Sequence, residues 1–145
     1  MSDLNIDDFF KDAAKALIQL YRNFPREHAV FVDDIHGTEE LDDYGMHSDR
    51  YLACFGTLIW LGEEGYVRYA STIRQDAIDQ AVLTARCFTR LCAPAANLDG
   101  MDVTELPESV RIEQSTNIHR LESAIEDRSS SRVRSAMLSL MMEMG

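Results

Sequence analysis

The stretch SDRYLACFGTLIWLGEE, residues 48–64, and the residues that follow it constrain the fold most. Ser48 is a good helix N-cap and Gly65 a good C-terminal stop, so the segment between them reads as one helix. On a helical wheel Tyr51, Leu52, Cys54, Phe55, Leu58, Ile59 and Leu61 share one half, while Asp49, Arg50, Ala53, Gly56, Thr57, Trp60, Glu63 and Glu64 share the other. Directly after Gly65 the apolar period drops to two: YVRYA alternates as a strand, STIRQD reads as its turn and AIDQAVL as the returning strand. A long helix running straight into a hairpin makes the chain α+β, mainly helical with a small β-hairpin.

The flanking segments add helices. Asp7 and Asp8 precede Phe9, Phe10, Ala13, Ala16, Leu17, Leu20 and Tyr21, whose three- and four-residue steps predict a helix over about 6–23. Phe24-Pro25 ends it, because the residue before proline leaves the helical region. HAVFVDDI reads as a short strand, and Thr38 as the cap of a brief acidic helix through Glu39, Glu40, Leu41 and Tyr44 that Gly45 terminates. TARCFTRLC predicts a fourth helix with Thr84 as its cap. Residues 94–107 lose periodicity and gain Pro, Gly, Asn and Asp, as a linker does. Beyond them Ile118, Leu121 and Ile125 form one stripe and Val133, Met137, Leu140, Met141 and Met144 another, separated by DRSSSR, which predicts two helices. The expected organisation is a domain over 1–93, a linker over 94–107 and a helical dimerisation or docking element over 108–145.

Charge bears on partners more than on fold. The chain of 145 residues carries a net charge of −11, and residues 33–50 hold seven carboxylates before their first arginine. From Glu27 to Asp49 there is no Lys or Arg. No apolar run reaches membrane-spanning length, and the first residues lack the basic and apolar regions of a signal peptide, so the expected location is cytoplasmic. Cys54, Cys87 and Cys92 form no C-x-x-C pair and, lying among apolar residues, read as reduced core thiols. His28, His36 and His47 lie among the acids without metal-ligand spacing, so the acidic run reads as a solvated face. No nucleophile with a base, phosphate loop or ligand cluster is present in the pattern, and the expectation is a noncatalytic protein with no cofactor and no metal.

The order helix, strand, helix, helix, hairpin, with LIWLGEEGYVRY at the exit from the third helix and Leu83-Thr84 and Leu91 after the hairpin, resembles the winged helix-turn-helix domain of MarR/PadR-type bacterial regulators over about residues 6–93. Cys87 stands where that family usually has glycine, and Asp79-Gln80-Ala81 where it often has arginine after an aspartate. The resemblance implies a winged helix-turn-helix with a C-terminal helical extension, Ser48 to Glu64 as recognition helix, Ser71 to Asp76 as wing tip, and terminal helices that form a homodimer. Such domains depend on cations at phosphates, yet the outer face of this helix sets Asp49, Glu63 and Glu64 against Arg50 alone. The favoured function is therefore protein contact and self-association, with a basic protein as partner. Its interface candidates are Ala53, Gly56, Thr57 and Trp60 on the third helix and Val133, Met137, Leu140 and Met141 at the C-terminus. Whether Trp60 is covered by its own chain or by a partner stays open. The alternative is a dimeric DNA-binding regulator that uses Arg50, Arg68 and Arg74.

Overall fold

The computed structural model describes residues 4–95 and 116–144, which form six helices and a small antiparallel sheet of four strands, an α+β arrangement. The chain divides into two units, Met1–Thr84 and Ala85–Gly145. Most of the linker expected over 94–107, and residues 108–115 of the C-terminal element, lie outside the described residues.

In the first unit, α1 (Leu4–Asn23) buries Phe10, Ala13, Leu17 and Leu20 along one face, as its periodicity predicts. β1 (His28–Phe31) follows, and Val32 donates its N–H to the Asp76 carbonyl at 2.8 Å. There the chain turns into a single helical turn, α2 (Val32–Ile35), which buries Val32 and Ile35. This corrects two expectations: the strand is shorter than HAVFVDDI, and the second helix lies over 32–35 instead of 38–44. Burial of two β-branched residues outweighs their strand preference. Residues 37–48 are a loop because side chains take the bonds a helix would have used. The Asp42 carboxylate accepts from the N–H groups of Tyr44 and Met46, both at 2.9 Å, and Glu39 accepts from the Ser48 N–H at 2.9 Å and its hydroxyl at 2.7 Å.

Ser48 caps α3 (Asp49–Glu63), accepting from the Tyr51 N–H. Tyr51, Cys54, Leu58 and Leu61 face the core as the helical wheel requires. Thr57, assigned from sequence to the outer face, is buried, its hydroxyl donating to the Ala53 carbonyl at 3.1 Å. β2 (Val67–Arg68), β3 (Ser71–Ile73) and β4 (Ala77–Leu83) complete the unit. The turn is thus Arg74 to Asp76, tighter than the predicted STIRQD, since Ser71–Ile73 pair with Asp79, Ile78 and Ala77. β4 is central, with β1 antiparallel on one edge and β2 on the other. Between His28↔Ala81 and Val30↔Ile78 the register slips by one, a bulge at Asp79-Gln80 where Gln80 takes φ +54°.

The second unit contains α4 (Ala85–Cys92), α5 (Asn117–Glu126) and α6 (Ser130–Met144). α6 packs against both α4 and α5. The expected break at DRSSSR is present: Arg128 takes φ +54° between α5 and α6. Most of the predicted stripes are buried, Ile118 and Leu121 on α5, and Val133, Met137, Leu140 and Met144 on α6, while Ile125 and Met141 are half-buried.

Candidate functional site

α1 and α3 lie side by side, and residues from Asn5 to Asp12 and from Asp49 to Trp60 line an open groove of about 710 Å³. Ile6 and Phe9 of α1 and Ala53, Gly56 and Trp60 of α3 supply its apolar lining. Three- and four-residue spacing brings Ala53, Gly56, Thr57 and Trp60 to one side of α3, so this half of the site is legible from sequence. Thr57 contributes only its edge, because it is buried. Trp60 is half-buried by its own unit: the Phe9 ring meets it edge-on with centroids 5.1 Å apart, and Tyr66 stacks on it at 5.7 Å.

The other end of the groove is ionic. Arg50 forks onto Asp12, Nη1 to Oδ2 at 2.6 Å and Nη2 to Oδ1 at 2.8 Å, while its Nε lies 3.2 Å from Asp8. Asp12 is 1% exposed, and among the described residues its counter-charge is this guanidinium. The bond to Asp12 raises the Arg50 pKa further above its ordinary value. Burial, and then the Asp12 charge, push the neighbouring Cys54 thiol up to about 12, and burial alone does the same for Cys87. Neither is a ready nucleophile near neutral pH; Cys92, expected in the core as well, is exposed at the end of α4. Exposed Asp49 and partly exposed Asp8 leave the groove rim acidic.

A second polar cluster anchors the loop to the hairpin. Tyr51 Oη donates to Asp76 Oδ1 at 3.0 Å, His47 Nε2 sits 3.0 Å from the same oxygen, and the His47 and Tyr51 rings stack at 3.7 Å. Burial, then the bond to Asp76, holds the Tyr51 hydroxyl well above the ordinary phenol range. Hydrogen bonds from the Ser48 backbone and side chain hold Glu39 below its ordinary carboxylate value. These groups fasten structure; among the described residues no three His, Cys, Asp or Glu side chains are placed to hold a metal ion.

The remaining candidates separate. Arg68 and Arg74, 71% and 88% exposed, lie 4.0 Å from Glu27 and 3.9 Å from Asp76. They stand on the hairpin, whereas Arg50 is committed to Asp12. Val133, Met137 and Leu140 are buried and Met141 half-buried, leaving Leu138 and Met142 as the large exposed apolar residues of α6. Sequence reasoning missed the α1 half of the groove; the signal was the i, i+4 pair Asp8 and Asp12 flanking Phe9, with Asp12 inside a helix face otherwise apolar. Among the described residues no helix is long and apolar enough to cross a membrane. No protein family, curated protein or solved structure matches the chain.

Proposed function

We propose that this chain is a noncatalytic, winged-helix-type interaction protein whose α1–α3 groove seats an amphipathic helix of a basic partner protein. The observation that carries the proposal is Gly56. A glycine inside a helix is about 1 kcal/mol less favourable than alanine. A Cβ built on Gly56 meets nothing within 4 Å, so no contact among the described residues accounts for it. Its absence gives a partner side chain room against the helix backbone beside Trp60. The acidic rim matches Lys or Arg on the flank of the incoming helix. The winged-helix reading draws support from element order and from β1 pairing with β4 across from the β2 edge.

The test uses two helical peptides with the same apolar face, one flanked by lysines and the other by glutamates, titrated against the full chain with Trp60, its only tryptophan, as the emission reporter. The cationic peptide is expected to bind at least about tenfold more tightly, and Gly56→Leu to abolish its binding. Without added peptide, Gly56→Ala is expected to stabilise the protein by roughly 0.5–1 kcal/mol. Equal affinity for both peptides, or none, counts against the groove.

The exposed Arg68 and Arg74 are what favours the regulator reading. Duplex DNA at about 50 mM salt separates the two, because phosphate-driven binding is strong there and falls steeply as salt rises. Binding that Arg68→Ala and Arg74→Ala weaken would put a DNA-binding regulator in place of the present proposal. Self-association belongs to the proposal as well: Leu138 and Met142 lie four residues apart on α6 and leave an apolar strip in water. Sedimentation velocity is expected to give a dimer for the wild type and a monomer for Leu138→Glu with Met142→Glu; an unchanged mass removes α6 as the dimer contact.

A further inference from the structure

The second unit contains a buried cation with no counter-ion among the described residues. Arg120 is 6% exposed, and among the described residues its side chain makes one hydrogen bond, from Nη2 to the neutral Ser135 hydroxyl at 3.1 Å. Nη1 is buried without a partner. No carboxylate pairs with Arg120 among the described residues. An unpaired charge this far from water is costly, and such groups are retained beside an anion far more often than alone.

Arg120 lines a cavity of about 210 Å³ between α5 and the start of α6, together with Ala124, Ser131, Arg132 and Ser135. Its polar lining consists of two guanidinium groups and two hydroxyls. Arg132 is held in place by Ser123, to which Nη2 donates at 3.1 Å, and by an ion pair with Asp127. Ser131 lies in the first turn of α6, where the helix dipole adds positive potential. Donors from several directions suit a tetrahedral oxyanion better than a planar carboxylate, which a single guanidinium satisfies. The cavity is roomy enough for such an ion with water.

We propose that the cavity between α5 and α6 is a binding site for a phosphate group, with Arg120 as its buried ligand and Arg132, Ser131 and Ser135 completing it. The site lies wholly within the second unit and does not depend on the groove of the first. The phosphate can be the free ion or the end of a phosphate monoester; the two share the chemistry and separate in the test.

Thermal unfolding of the full chain is compared in chloride, inorganic phosphate and glycerol phosphate at matched ionic strength. Ligand binding to the folded state is expected to raise Tm by roughly 3 °C over chloride. A rise with inorganic phosphate assigns the site to the free ion, and a rise with glycerol phosphate alone assigns it to the ester. Arg120→Met, close in volume, is expected to abolish the increment whatever it does to the baseline. Should that variant fail to fold, Arg132→Gln serves instead and is expected to reduce the increment by at least half. Equal Tm in all three buffers, or an increment that survives in the variant read, overturns the assignment.

Discussion

Arg50→Ala is expected to lower the unfolding free energy by about 3 kcal/mol, far more than loss of an ordinary surface arginine, because it strands the Asp12 carboxylate in the protein interior. Asp12 is 1% exposed and both its oxygens are held by the Arg50 fork. The gross attraction of such a pair is largely offset by its desolvation, so the large effect arises from breaking it asymmetrically. Asp12→Leu in the Arg50→Ala background is therefore expected to recover at least half of the loss, since both charges are then gone. Urea denaturation of the two single variants and the double variant measures the coupling directly. A cost below about 1 kcal/mol for Arg50→Ala, the range of exposed pairs, would mean that Asp12 does not need its partner. The result also bears on function, because an arginine that neutralises an interior aspartate is poorly placed to neutralise phosphate.

Asp76→Ala carries the second large effect, about 3 kcal/mol, the sum expected for two side-chain bonds to one carboxylate. Tyr51 is 2% exposed, and its hydroxyl and the His47 ring both meet Asp76 Oδ1. Removing the carboxylate takes from the buried Tyr51 hydroxyl its 3.0 Å acceptor, leaving it only the weaker interaction with Asp33, and releases the ring that pins the 37–48 loop. Asp76→Asn keeps an acceptor oxygen and is expected to cost only about 1 kcal/mol. Hydrogen exchange supplies an independent readout: amides at Met46 and Ser48 are expected to exchange faster in Asp76→Ala while those of α1 stay protected. Uniform acceleration across the unit would point to global destabilisation without a specific anchor.

The elements most legible in the sequence were those with long, uninterrupted periodicity and good caps. α1, α3 and the break between α5 and α6 follow from apolar spacing, Ser48 and the serine run. The face of α3 bearing Ala53, Gly56 and Trp60 followed from the same arithmetic. The second helix did not, because Val32 and Ile35 have strand propensity and become helical only where burial rewards it, whereas Thr38 to Tyr44 carry helix signals that Asp42 and Glu39 divert into loop bonds.

Sequence by itself determined where apolar residues recur, where helices stop and the negative sign of the chain's charge, since these depend on neighbours within a few positions. Tertiary structure decided which charges are consumed and which remain available. Arg50 meets Asp12 from 38 positions away and is neutralised, while Arg120 meets no carboxylate among the described residues and stays a buried donor. The energy of a charge depends on distance and local dielectric, and both are set by packing between segments far apart in the chain.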